Sequence, residues 1–138
     1  LLRFQSCHFF SAFFKAVFFS FRSAFKVSML AVMEEIPDVK DNSGDAPHVA
    51  SISFLGVRSE VLLHALEERE IYVSAGSACS SNKPQVSHVL TAIGLSQEQL
   101  ESTLRFSFCE WNTKEEVDYC VEVLKETLPM LRRYTRKK

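Results

Sequence analysis

The chain has 138 residues, of which 46% are hydrophobic and 24% charged, and its net charge is -1. Those are ordinary values for a soluble globular piece about one domain in size, with enough apolar material for a modest core and no charge excess that calls for a specific nucleic-acid partner. The four cysteines, Cys7, Cys79, Cys109 and Cys120, lack paired short spacings, so neither a disulfide scaffold nor a structural zinc site is indicated, and a reducing cytoplasm fits best.

Leu1–Val27 stands apart in composition. It holds Arg3, Lys15, Arg22 and Lys26 and no acid, and nine of the twelve phenylalanines fall within it. A membrane-spanning helix needs about 20 nearly uncharged apolar residues, whereas the longest uncharged run here is Phe4–Phe14. Lys15 and Arg22 interrupt the single apolar block that a secretory signal requires. An acid-poor amphipathic presequence for organelle import is compatible with Phe9, Phe10, Phe13, Phe14 and Phe18, which approximate a helical stripe. The preferred account is translation of sequence that is not the true upstream domain, and the chain is therefore divided into 1–27, of unknown status, and 28–138.

From Ser28 the pattern becomes orderly. A short helical or irregular approach through Met29–Glu35 ends before Pro37, and Val39–Pro47 carries the turn residues of a connector. His48–Phe54 alternates as a strand does, and Gly56 marks the following turn. Ser59 precedes Val61, Leu62, Ala65 and Leu66 at helical spacing and is predicted to cap a helix ending near Arg69. Ile71–Val73 reads as a short strand.

The next segment, Ser74–Ser81, sets Cys79 among residues too small to shield it. Gly76, Ser77 and Ala78 form the loop that presents the thiol, and Gly76 opens backbone angles closed to other residues. A free thiol near pKa 8.5 is only about 3% thiolate at neutral pH, so a reactive one needs a cationic neighbour, a helix N-terminus or charge from a substrate. The local sequence offers Lys83 alone; taken by itself, Cys79 is a weak signal and reads more readily as a buried, inert residue.

Val86–Ile93 is predicted as a short helix closed by Gly94, and Gln97–Glu101 as a further helical turn. Leu104, Phe106 and Phe108 alternate with Arg105, Ser107 and Cys109, a half-buried strand with one polar face. Arg105 is either a solvated strand residue or a carboxylate grip, a role that a planar guanidinium suits because it stays charged and donates bidentately. Thr113 and Glu116 have capping-box spacing, and Val117, Cys120, Val121, Leu124, Leu128 and Leu131 line one face of a long helix that Pro129 should kink. Cys120 reads as core, and Cys109 carries no assigned chemistry. His48, His64 and His88 lack ligand spacing and read as structural or surface residues. A hydrolase pairing Cys79 with His88 lacks an identifiable orienting group. The basic run Arg132–Lys138 suits a solvated helix end.

The segments His48–Ser81, Ser87–Ser96 and Thr103–Asp118, in order and spacing, resemble the C-terminal part of pyridoxal-phosphate-dependent cysteine desulfurases of the class V aminotransferase family. The resemblance implies that Cys79 attacks the sulfur of the substrate L-cysteine, leaving alanine and an enzyme persulfide, and that Arg105 grips the substrate carboxylate. It implies pyridoxal 5'-phosphate as cofactor and, as partners, a sulfur acceptor such as an iron-sulfur scaffold or a tRNA-thiolating enzyme, together with a cofactor domain and a second subunit. In that family the Schiff-base lysine follows a histidine in a large preceding domain. None of the eight lysines here follows a histidine, no glycine-rich phosphate loop is present, and the chain opens on Leu1. The expectation is a C-terminal fragment that holds the nucleophile and the carboxylate clamp, with no cofactor-binding residue and no metal ligand of its own.

The expected fold class is α+β, the small C-terminal domain of a fold-type I enzyme, with a mostly antiparallel sheet of three or four short strands and helices covering one face. The Cys79 loop is expected to move, because sulfur delivery brings one thiol to both donor and acceptor. Two other readings stand beside the desulfurase module: a noncatalytic folding or partner-binding domain, and an inactive truncated product.

Overall fold

The computed structural model describes residues 2–3, 12–75 and 88–135, with side chains described for 23–75 and 90–134. The elements in chain order are β1 (Leu2–Arg3), α1 (Ala12–Met33), β2 (Val39–Asp41), β3 (Val49–Phe54), α2 (Ser59–Glu67), β4 (Ile71–Tyr72), β5 (Ser74–Ala75), α3 (His88–Ala92), α4 (Gln97–Ser102), β6 (Thr103–Ser107) and α5 (Lys114–Thr135). Strands β2, β3, β6 and β5 form an antiparallel sheet in that order, while β1 pairs in parallel with β4.

Period-two alternation divides this sheet into an apolar and a polar face. Ala50, Ile52 and Phe54 of β3 and Leu104 and Phe106 of β6 are buried, with Phe54 and Phe106 meeting edge to face at 6.3 Å. Helices α1, α2 and α5 supply the rest of that core through Phe25, Met29 and Met33, through Leu62 and Leu66, and through Val117, Cys120, Val121, Leu124 and Leu128. The α+β class, the antiparallel sheet and its helical cover agree with the sequence reading. Val123 and Thr127 join the buried face of α5 as well.

Several local expectations need correction. Ser59 is not the cap of α2: it is the first helical residue and is buried, and the extended residue before it, Arg58, makes no side-chain capping bond. Burying Leu62 and Leu66 against the sheet holds the helix start without a cap, a case of tertiary packing overriding a local signal. Val39–Asp41 belongs to the sheet rather than to a connector, with Val39 opposite Phe54 and Asp41 opposite Ile52. The approach through Met29 is the last part of a 22-residue helix that runs without interruption across the composition break at Val27. Arg132, the first residue of the basic run, packs back on the fold: its Nε donates to Leu55 O at 3.0 Å and its Nη2 to Asp38 O at 3.2 Å.

Other signals match. Thr113 Oγ1 accepts from Glu116 N–H at 3.2 Å while the Glu116 carboxylate accepts from Thr113 N–H at 3.1 Å, the reciprocal cap of α5. Gly94, with φ of 79°, closes α3, and Ser96 caps α4 with Gln99 bonding back. Glu70 sits at φ of 60°, the left-handed conformation in which glycine is unstrained. Helix α5 continues as one helix through Pro129, which lies on its exposed side. Among the described residues, no helix is long and apolar enough to cross a membrane.

Candidate substrate site on the polar face of the sheet

The opposite face of the sheet carries Ser51 and Ser53 of β3, Thr103, Arg105 and Ser107 of β6, and Ser74 of β5. Arg105 stands between Ser51 and Ser74 in the cross-strand register, so both of its direct neighbours are short and neutral. It is exposed, and none of the described residues forms an ion pair or hydrogen bond with its guanidinium. An uncommitted planar cation with five donors is equipped to receive a carboxylate.

Arg105 borders a cavity of about 780 Å³. Its polar wall continues through Thr103, Ser51, Asn42, Ser43 and Asp41, and its apolar wall consists of Val49, Ala75, Leu90, Ile93 and Leu95. Floor and roof are joined by a chain of hydrogen bonds. Asn42 Nδ2 donates to Ser53 Oγ at 2.6 Å, Ser53 and Thr103 share a hydroxyl bond of 2.7 Å, and Thr103 Oγ1 donates to Gln99 O of α4. Because Ser53 and Thr103 are fully or almost fully buried, each hydroxyl left without a partner would carry a desolvation cost.

The rim is also tied down. Ser43 N–H donates to Asp41 Oδ1 at 2.8 Å, Ser51 N–H donates to Ser43 Oγ at 2.9 Å, and Lys26 Nζ of α1 donates to Gly44 O at 2.7 Å and Ala46 O at 3.0 Å. Lys26 thus links the phenylalanine-rich helix to the edge of the cavity.

Of the residues singled out in the sequence, Arg105 lies at this cavity. Cys79, Gly76, Ser77, Ala78 and Lys83 lie outside the described residues, as does Cys7, so the structure does not bear on the loop or its movement. Ala75, the last described residue before that loop, lies in the cavity wall. Cys109 and Cys120 are both buried, and burial pushes the Cys120 thiol up to about 12, which suits core packing rather than nucleophilic work. His48 is exposed, His64 Nδ1 pairs locally with Glu67 Oε2 at 2.9 Å, and His88 opens α3 with its side chain outside the description. The sequence reading missed Asn42, Ser43, Ser51 and Thr103. Ser51 and Thr103 carried a signal, since each stands on the polar side of an alternating strand; Asn42 and Ser43 were indistinguishable from turn residues.

The residues around the cavity do not fit pyridoxal phosphate. A Schiff base needs a lysine, and among the described residues no lysine borders this space: Lys26 holds loop carbonyls, Lys114 pairs with Asp118 at 2.8 Å, and Lys125 pairs with Glu35 at 3.0 Å. What these residues do offer is a site for an anion beside an apolar surface.

Residues 23–120 match the Aminotransferase class-V family. The chain is 38% identical over 100 residues to the cysteine desulfurase IscS of Escherichia coli O139:H28 and 37% identical to that of Buchnera aphidicola, in each case over 72% of this chain and 24% of the relative. It therefore spans about a quarter of the length of those curated relatives. Among solved structures, a NifS-like protein superposes with a TM-score of 0.72 at 24% identity, covering 84% of this chain and 29% of that one. The cysteine desulfurase CsdA of Escherichia coli in its S-sulfonic acid form superposes with a TM-score of 0.64 at 23% identity, covering 81% and 25%. Those superpositions establish a shared fold, and the family match over most of the sequence establishes descent: the chain belongs to the class V aminotransferases.

Proposed function

We propose that this chain supplies the sulfur nucleophile and the carboxylate grip of a cysteine desulfurase. In this reading Arg105 binds the carboxylate of L-cysteine, and the Cys79 thiolate attacks the substrate sulfur. The carbon–sulfur bond breaks, a sulfur–sulfur bond forms, and the substrate Cβ gains a proton, giving alanine and a Cys79 persulfide that an acceptor protein then discharges. The acceptor class is an iron-sulfur scaffold or a tRNA-thiolating enzyme. The electron sink for this cleavage, pyridoxal phosphate in the family, requires residues other than those bordering the cavity.

The observation that carries the reading is the guanidinium of Arg105, without a partner among the described residues, beside β5, whose end, Ala75, lies in the same cavity wall. Four peptide units separate Ala75 from Cys79, so chain connectivity alone holds the two within about 14 Å.

The test mixes the purified chain with a separately expressed cofactor-binding portion of the Escherichia coli relative, pyridoxal phosphate and L-cysteine. Alanine and protein persulfide are expected in the mixture and absent with either component alone. An associated, folded complex that yields neither product sinks the proposal and leaves a noncatalytic domain.

A further inference from the structure

The cavity rim at Ser43–Ala46 is held by hydrogen bonds rather than by packing. Gly44, Asp45 and Ala46 are exposed, and a Cβ added at Gly44 would meet open space. At one end the rim is tied to β3: Asn42 N–H donates to Ser51 O at 2.8 Å, and Ser51 N–H donates to Ser43 Oγ at 2.9 Å. Ser51 is also the direct cross-strand neighbour of Arg105, so Asn42 and Ser43 are registered to the strand position beside the guanidinium. At the other end Lys26 of α1 reaches across, its Nζ bridging Gly44 O at 2.7 Å and Ala46 O at 3.0 Å. Charge-assisted bonds of this kind are about twice as strong as neutral ones, and two acceptors on one ammonium group close the turn. The helix that carries the group is itself fixed, because Phe25 and Met29 on either side of Lys26 are buried in the core.

We infer that Lys26 is a positioning residue for L-cysteine: through Gly44 O and Ala46 O it holds Asn42, Ser43 and Gly44 in place relative to Arg105 and keeps the mouth of the cavity in its binding shape. The inference rests on the proposed function for the identity of the ligand. Without the ammonium group, water satisfies the exposed carbonyls, so the rim loosens while the core stays intact. Each binding event must then order the rim, a cost that falls on KM and not on the chemical step. Leu1–Val27, the stretch that composition sets apart, thereby contributes to the support of the site.

The experiment compares Lys26→Met, Lys26→Arg and Lys114→Met with the parent, using the full chain mixed with the cofactor-binding portion of the Escherichia coli relative, pyridoxal phosphate and L-cysteine. Lys26→Met keeps the apolar stem and removes the donors, so KM should rise on the order of fivefold while kcat stays within about twofold. Lys26→Arg still donates to two carbonyls and should bring KM back to within about twofold of the parent. Lys114→Met removes an exposed lysine paired with Asp118 on α5 and should leave KM unaltered. In an Arg105→Met background, Lys26→Met should add nothing, because the rim no longer faces a grip. Amide exchange on the chain alone should show the Ser51 N–H losing protection in Lys26→Met and regaining it in Lys26→Arg, at an unchanged urea midpoint. An unaltered KM in Lys26→Met, a rise that Lys26→Arg does not reverse, a joint fall in kcat and urea midpoint, or a full further loss in the Arg105→Met background would each overturn the inference. If the parent mixture makes no alanine, the proposed function falls and the Ser51 amide decides the role of Lys26 at the rim: protection lost in Lys26→Met and restored in Lys26→Arg upholds it, and unchanged protection removes it.

Discussion

The hydroxyls of Ser53 and Thr103 meet at 2.7 Å from opposite strands of one ladder, directly beneath the cavity that Arg105 borders. Both side chains sit on the sheet face that alternation marks as polar, yet they are buried, because the end of α4 covers them and Gln99 O accepts from Thr103 Oγ1, which leaves the Ser53 hydroxyl to donate to Thr103. The bond therefore acts as a strut between floor and roof.

Replacing Ser53 by valine leaves Asn42 Nδ2 and Thr103 without one partner each. Since a buried polar group stripped of its partner costs about 1–3 kcal/mol, S53V should lower the stability to urea by that amount, and T103V should do the same. Because the two share one bond, the double variant should lose less than the sum of the singles. Additive losses would show that the strut contributes nothing.

Glu70 occupies the left-handed region with an exposed side chain. A residue with a Cβ is strained there and glycine is not, so Glu70→Gly should raise stability by about 1 kcal/mol despite the greater freedom of its unfolded chain. The reading is a shift of the urea midpoint at constant slope. A lower midpoint would contradict the assigned backbone conformation.

Cys120 makes stability depend on alkaline pH. Burial holds its thiol at about 12 in the folded chain, above the ordinary value near 8.5, so the folded state retains a proton that the unfolded state releases between these values. Its contribution is complete below about pH 8.5 and falls by roughly 1 kcal/mol per pH unit above it. Cys120→Ala should cost stability at pH 7 and show a shallower decline from pH 8.5 to 10 than the parent, measured by urea denaturation across that range. Parallel profiles would mean that this thiol ionises freely in the folded chain.

Arg105→Met should leave folding within about 0.5 kcal/mol of the parent, because the side chain is exposed and none of the described residues partners it. In the reconstituted desulfurase the same change should raise KM for L-cysteine at least tenfold, the loss expected when a bidentate charge contact disappears. Cys79→Ser should instead leave cysteine binding in place and abolish persulfide. An unaltered KM in R105M would remove the carboxylate grip.

Much of the architecture was legible in the linear text because it depends on near neighbours. The alternation around Arg105, the Thr113–Glu116 cap, Gly94 at a helix end and the apolar stripe of α5 are each defined within a few residues, where steric and hydrogen-bonding rules act directly. Ser59 misled for the same reason: the signal for a cap was present, but burial of Leu62 and Leu66 set the start of α2. Lys26 is the sharper case, since nothing in a phenylalanine-rich segment announces that its ammonium group will hold the carbonyls of Gly44 and Ala46.

The sequence by itself determined the fold class, the polar register of β6 that sends Arg105 to one face, the core identity of Cys120 and the family resemblance, all of which follow from periodicity and residue order. Only the tertiary structure decided that Asn42, Ser43, Ser51 and Thr103 gather beside Arg105, that Val39–Asp41 joins the sheet, and that an aliphatic wall stands across from the guanidinium. The physical reason is that such contacts join segments many residues apart, as between Asn42 and Gln99 or Lys26 and Gly44. Which of them form depends on how whole elements bury their apolar faces, and no local pattern along the chain encodes that.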